Sequence, residues 1–346
     1  MHTWYAPYFN LYKNTYTNNT HNTTPTSIIQ RTLDKAKEAI DKIETNIANN
    51  SEDAVEANKL LKSIKLIPLE CDLSDLSSID TFVKNLSSTG TTLFDAVCYN
   101  AGLARNVDAT DVARTKQGFE LTVGTNHLGH FYLHHKLMTS SLINKDSGRI
   151  VVTASSVHDP DSPGGAQGEA ATLGNLQGLE NAVLSSGTKQ FDMVDGQPFN
   201  ADKAYKDSKL CNVLFTRELQ RRLDADSSNN IKVNSFTPGL IVGTGLFRDQ
   251  NQLFTKVFDV AATKLLKVGE TTSYGGGALE YVTLSTKVGQ QKGGLYYYSE
   301  PGSGKYGDEA YGKQFNVSEV SKEALESDTN GKAKRFWELS EKLVGI

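Results

Sequence analysis

With 346 residues, a formal net charge of −4 and 22% charged residues, the composition is that of an ordinary globular protein, with no basic stripe to suggest nucleic acid. A chain of this length can bury a large core without disulfides or metals. Its three cysteines, Cys71, Cys98 and Cys211, are too scattered for a disulfide framework or a CxxC metal clip, and no apolar run approaches the roughly 20 residues of a membrane-spanning helix.

Residues 1–27 read as a polar, disordered tail: they are rich in Asn, Thr and Tyr, contain no acidic residue and lack the apolar run of a secretory signal. Leu33, Ala36, Ala39, Ile40 and Ile43 recur at helical spacing and predict a helix over Thr32–Leu61. Lys65–Glu70 is a strand, Ser77–Leu86 a helix, and Leu93–Tyr99 a buried strand ending in Asn100-Ala101-Gly102. Phe119–Ser141 is a long helix and Arg149–Val152 a strand. Residues 157–203, rich in Gly, Asp and Ser, are too long for an ordinary loop. Leu173, Leu176, Leu179, Phe191, Met193 and Phe199 would anchor them as a partly ordered flap. Ala204–Asp224 is a helix and Ile231–Phe236 a strand. A helix over Gly269–Leu284, a strand over Gly294–Tyr298 and a helix over Lys332–Leu343 complete the series.

Helices alternate with nearly continuous apolar strands from residue 64 onward. That is the pattern of an α/β doubly wound, mostly parallel sheet, which binds ligands beyond the carboxyl ends of its strands. No repeat or linker divides the chain, so residues 28–346 are expected to form a single Rossmann-type domain.

The strongest chemical signal is Tyr205-Lys206-Asp207-Ser208-Lys209, at the start of a helix. Tyr205 and Lys209 are four apart and share a helical face. A nearby ammonium favours the phenolate, which would lower the Tyr205 pKa and make it a proton donor near neutral pH. The spacing alone also fits a solvated surface. Its surroundings favour chemistry, because three strand ends and one helix carry polar groups in the order a dinucleotide site needs. These are Asn100-Ala101-Gly102, Asn126 on the next helix, Thr153-Ala154-Ser155-Ser156 and Pro238-Gly239.

This arrangement resembles the short-chain dehydrogenase/reductase family. Residues 123–131 (VGTNHLGHF), 204–212 (AYKDSKLCN), 173–179 (LGNLQGL), 244–248 (TGLFR) and 337–345 (WELSEKLVG), with His158-Asp159-Pro160 and the flap itself, are similar to the light-dependent protochlorophyllide reductases within it. The resemblance covers residues 64–346, with a weaker continuation back to Arg31. It implies hydride transfer from NADPH to protochlorophyllide, driven by light absorbed by the pigment. Tyr205 would supply the proton, and Lys209 would hold the nicotinamide ribose. Asn126 would order a relay water. Ser156, with Ser155 as the near alternative, would supply the hydroxyl. Arg31 would read the 2′-phosphate, and Asp72 and Leu73 would flank the adenine. Asn100, Ala101, Gly102, Pro238, Gly239, Ile241 and Thr244 would line the rest of the cofactor. The resemblance also implies a plastid location. It leaves room for peripheral association with plastid membranes and for homo-oligomers.

Several residues keep two readings. Cys211 is either a small buried hydrophobe or, as the resemblance implies, a neighbour of the pigment, and its surroundings favour the second. Phe247, Phe254 and Phe258 form a packed helix face, a lid over a flat macrocycle near residues 245–266, or both. His127 and His130 suit helix packing better than metal binding, since no third ligand is apparent. Gly275-Gly276-Gly277 follows no strand and suits close helix packing.

The family's usual beginning has no counterpart in this sequence. It opens with a strand and a glycine-rich turn that receives the pyrophosphate at a helix N-terminus. Here the first glycine is Gly90, and Ile28-Ile29-Gln30-Arg31 would be the remnant of the second strand. The first strand and its turn are therefore expected to be missing. An incomplete reading of a gene explains this better than a real variant, because an open sheet centre would expose strand edges. Two other functions share these residues: a dark dehydrogenase for a retinoid-like or steroid-like alcohol or ketone, and a pigment-binding protein without cofactor.

Overall fold

The computed structural model describes residues 9–12, 24–50, 54–88, 93–241, 269–303 and 315–346. The strands among them are β1 (Phe9–Tyr12), β2 (Thr24–Gln30), β3 (Ile64–Glu70), β4 (Ala96–Tyr99), β5 (Arg149–Thr153), β6 (Lys232–Phe236), β7 (Leu295–Tyr298) and β8 (Asn316–Ser318). They form one sheet of order β3-β2-β1-β4-β5-β6-β7-β8. The pairs β2–β3, β4–β5, β5–β6 and β6–β7 are parallel, so the doubly wound, mostly parallel sheet expected from the sequence is what forms.

The helices in chain order are α1 (Leu33–Asn50), α2 (Ala54–Ser63), α3 (Leu76–Ser88), α4 (Leu121–Val123), α5 (His130–Thr139), α6 (Gln177–Leu184), α7 (Ala201–Asp224), α8 (Thr272–Leu284), α9 (Thr286–Gly289), α10 (Lys322–Thr329) and α11 (Lys332–Val344). Strand alternation sorts them into two layers. Val97, Tyr99, Ile150 and Val152 face the larger core, which α3, α5, α7 and α11 complete. Cys98, Val151 and Phe236 face the other way, against α8. Ile28 packs against Ala39, Ile40 and Ile43 of α1.

Three expectations need correction. The helix expected over Thr32–Leu61 is two helices, with a break after Ala48-Asn49-Asn50, where Asn favours turns over helix interiors. The helix expected over Phe119–Ser141 is interrupted by a π-helical stretch, Gly124–Gly129. The third correction concerns the tail and the missing first strand. Within the tail, Phe9–Tyr12 forms β1 and fills the central position between β2 and β4, antiparallel to both. The physical reason is that an open centre would leave the backbone groups of two facing strand edges unpaired. The second strand also starts earlier than expected, at Thr24.

The flap is pinned by its apolar anchors. Leu173, Leu176, Leu179, Phe191 and Met193 are buried, and α6 lies within it. The strand β8 and the helix α10 have no counterpart in the sequence expectations. No helix among the described residues is long and apolar enough to cross a membrane, and no group of His, Cys, Asp or Glu there could hold a metal ion.

Candidate active site

Helix α7 begins at a proper cap, with the Asn200 side chain accepting the Lys203 N–H at 3.0 Å. One turn later, Tyr205 and Lys209 lie side by side, the Lys209 Nζ 5.4 Å from the Tyr205 ring centroid. Lys209 is buried and donates to the Thr153 carbonyl at 3.3 Å. The Asn212 amide donates to the same carbonyl at 3.1 Å, so the carboxyl end of β5 is held by two side chains of one helix face. Thr153 Oγ1 donates to Asn100 Oδ1 at 2.6 Å, tying the ends of β5 and β4 together.

The electrostatics differ from the expectation. Burial drives the Tyr205 phenol well above its usual range, and a hydrogen bond with the Ser155 side chain opposes it only in part. Burial lowers the Lys209 ammonium to about 8. The expected lowering of the Tyr205 pKa by Lys209 is therefore outweighed by desolvation. At neutral pH, Tyr205 keeps its proton and Lys209 is mostly charged.

The serine that meets Tyr205 is Ser155, a correction to the choice of Ser156. The chain enters a 3-10 turn at Ser156–His158, so the hydroxyl reaching the phenol comes from the residue just before that turn. Instead, the Ser156 carbonyl accepts the Ser162 hydroxyl at 2.7 Å, within the flap. His158 braces Ser155. Its Nε2 accepts the Ser321 N–H at 3.2 Å, which leaves Nδ1 to donate to the Ser155 carbonyl at 2.7 Å.

Asn126 sits in the π-helical stretch as a strut. Its Oδ1 accepts the Leu103 N–H and its Nδ2 donates to the Leu103 carbonyl, both at 2.9 Å. The same Nδ2 lies 3.0 Å from Ser208 Oγ. A side chain on Gly102 would come within 3.2 Å of Asn126 Oδ1, so glycine lets the Asn100-Ala101-Gly102 turn pack closely on Asn126. His130 Nδ1 donates to the Asn126 carbonyl at 3.0 Å, and His127 Nε2 lies 3.2 Å from Ser340 Oγ. Both histidines therefore pack the helix, as their spacing suggested.

A second cluster lies at the carboxyl ends of β2, β3 and β4. Arg31, Lys35, Asp72, Leu73, Ala101 and Gly102 line a cavity of about 450 Å³. Arg31 Nε donates to Asp72 Oδ2 at 3.0 Å, and Asp72 Oδ1 accepts both the Ser74 N–H and the Ser74 hydroxyl. Pro238 and Ile241, after β6, pack on α8. A side chain on Gly275 would meet Ile241 Cδ1 at 2.2 Å, so Gly275 serves close packing of the helix on this turn. Gly239 lies between Pro238 and Ile241 in the same turn.

Cys211 is not placed beside an open site. It has no exposed surface and sits in the main core cluster, and burial pushes its thiol far above the usual range. Among the described residues its surroundings are those of a small buried hydrophobe. Thr244, Phe247, Phe254, Phe258 and the expected lid lie outside the described residues. Sequence reasoning overlooked Asn212 and Ser208. Asn212 lies three residues beyond Lys209, on the same helix face, so the spacing argument could have found it.

Comparisons with known proteins agree with this geometry. The short chain dehydrogenase family profile matches residues 31–171. Protochlorophyllide reductase A of Oryza sativa subsp. japonica is 33% identical over 281 residues, 80% of this chain and 67% of that protein. Protochlorophyllide reductase of Marchantia paleacea is 32% identical over 320 residues, 91% of this chain and 65% of that protein. The chain thus spans about two thirds of the length of the curated relatives it matches. An uncharacterized protein from Mycobacterium paratuberculosis shares the fold, with TM-score 0.55 and 22% identity over 92% of this chain and 84% of that one. The chain belongs to the short-chain dehydrogenase/reductase family, and within it to the protochlorophyllide reductase branch.

The residues fit the two ends of a nicotinamide dinucleotide. Arg31, Lys35 and Asp72 line one cavity of about 450 Å³ and Tyr205 and Lys209 stand together at the carboxyl end of β5, two sets of polar groups of the kind such a molecule needs. Among the described residues, no glycine turn leads from the central strand into a helix. The middle of the dinucleotide therefore has no backbone cradle of the usual kind there.

Proposed function

We propose that the chain is an NADPH-dependent reductase that converts protochlorophyllide to chlorophyllide under light, in plastids. The observation that carries this reading is the Tyr205–Lys209 turn at the end of β5, with Lys209 held by the Thr153 carbonyl 5.4 Å from the Tyr205 ring and the Ser155 side chain acting on the phenol. The plastid location rests on relatives that are named chloroplastic.

When bound, the nicotinamide supplies the hydride. Lys209 would hold its ribose, Arg31 and Lys35 would meet a phosphate on the adenosine ribose, and Asp72 and Leu73 would flank the adenine. Asn100, Ala101, Gly102, Pro238, Gly239, Ile241 and Thr244 would line the remainder. Tyr205 holds its proton on Oη until a carbanion forms on the ring carbon next to the hydride acceptor. Hydride and proton together saturate one carbon–carbon double bond. The tyrosinate left behind is stabilised by the Ser155 hydroxyl and the Lys209 ammonium. The dry surroundings of the pair strengthen both interactions.

The test is an NADPH titration in the dark, followed by nicotinamide fluorescence, and then illumination with protochlorophyllide. Binding in the dark and product only under light are expected. Pigment-independent turnover of a retinoid-like alcohol or a ketone would replace this reading with a dark dehydrogenase. Pigment binding without NADPH affinity would replace it with a binding protein.

A further inference from the structure

Between Tyr205 and Lys209, two side chains turn away from the site and hold the flap. The buried Lys206 ammonium donates to the carbonyls of Gln167 and Glu169, the second at 2.9 Å, and pairs with Asp202 at 2.7 Å. Asp207 has no exposed surface; it accepts the Thr172 N–H at 3.0 Å and pairs with Lys203 at 2.6 Å. Lys203 donates to the Thr172 carbonyl at 2.9 Å and pairs with Asp195 at 2.9 Å. Both backbone groups of Thr172 are thus held by one turn of α7. On the opposite side, Ser208 ties the same turn to Asn126.

Stability alone does not account for this arrangement. A cation buried with two carboxylates costs desolvation, and a well-packed apolar trio would hold the fold as well. What charges add is a fixed geometry, because each hydrogen bond has a direction. Burial and the pairing with Lys203 act against each other on Asp207, which is pushed up to about 7.

We propose that Lys203, Lys206 and Asp207 are positioning residues that clamp the flap to the turn carrying Tyr205 and Lys209, so that flap and turn open as one unit. Its effect on turnover rests on the reading of Tyr205 as proton donor, whereas the clamp itself stands apart from that reading. A shift of the flap at Thr172 pulls on Asp207, two residues from Tyr205 and two from Lys209. A displacement of about 1 Å at the proton donor slows transfer without touching the adenosine end of the site.

The experiment compares the intact chain with Lys206→Met, Lys206→Arg and Asp207→Asn by native amide exchange and steady-state kinetics. Lys206→Met strands no buried charge, because Asp202 reaches solvent. Asp207→Asn keeps an acceptor for the Thr172 N–H and serves if the first variant is unstable. In Lys206→Met, exchange at residues 166–176 and at 204–210 is expected to rise together by about tenfold, with β4–β6 unchanged. The kcat should fall by about tenfold while the NADPH KM stays within about twofold, and Lys206→Arg should restore both. Acceleration confined to the flap, or a loosened flap with unchanged kcat, would overturn the proposal. If the intact chain neither binds NADPH nor turns over, the proposed function fails, and joint exchange of the two segments still decides the clamp.

Discussion

At the Tyr205–Lys209 turn, five consecutive residues each have an assigned polar partner or ring contact, and these partners come from β5, the π-helical stretch and the flap. At the centre of the sheet, the strand–turn–helix typical of such folds gives way to β1, antiparallel to both neighbours. All of these described partners lie outside β1. The proposed chemistry and the proposed cofactor contacts thus rest on different parts of the fold, and each can be broken on its own.

A large effect is expected from Lys209→Met, which removes the ammonium beside Tyr205. The kcat/KM should fall by about 10²–10³, the range for losing a positioned acid–base partner. In the unmodified chain, kcat/KM should hold at neutral pH and decline above pH about 8, as Lys209 loses its proton. A profile with no decline up to pH 9.5, roughly one and a half units beyond that value, would remove Lys209 from the mechanism.

The aromatic core beneath the site makes the second test. Burial lowers His127 and His134 to about 3 and His130 to about 4, against 6.5 when exposed. The unfolded chain therefore takes up protons that the folded chain refuses. This contribution is complete above pH 6.5 and is lost as pH falls toward 4, by about 1.4 kcal/mol per pH unit for each histidine. Thermal melts between pH 7.5 and 5 should show it, and a flat Tm across that range would contradict neutral buried histidines.

These residues also show what the sequence could reveal. Tyr205 and Lys209 were legible because helix spacing alone puts them on one face, and Gly102 because it follows an apolar strand, whereas Arg31 and Asp72 came only from the resemblance to the family. Choosing Ser155 over Ser156 was not legible, since it depends on where a 3-10 turn begins. The π-helical stretch leaves no mark in the apolar periodicity. The strand β1 is four residues in a polar context, and its direction depends on pairing with strands far along the chain. Cys211 looked functional from its neighbours in sequence, yet Lys209 and Cys211 are two residues apart on a helix and point in different directions.

Two smaller effects sharpen the contrast between the ends. Arg31→Ala should weaken NADPH binding by about tenfold and leave NADH nearly unchanged, the loss of one charge-assisted contact. Equal weakening of both would place Arg31 away from the ribose phosphate. Cys211→Ala should cost about 1 kcal/mol of stability by opening a small core gap, with turnover per folded molecule unchanged. Lost turnover at full stability would return Cys211 to the substrate site.

The most direct test of the account is a single-turnover illumination of NADPH and protochlorophyllide with the intact chain and with Tyr205→Phe. The account predicts chlorophyllide from the intact chain, a yield from Tyr205→Phe lower by about a hundredfold or more, and equal NADPH binding by both. Undiminished product from Tyr205→Phe, or a folded intact chain that binds no NADPH, would contradict it.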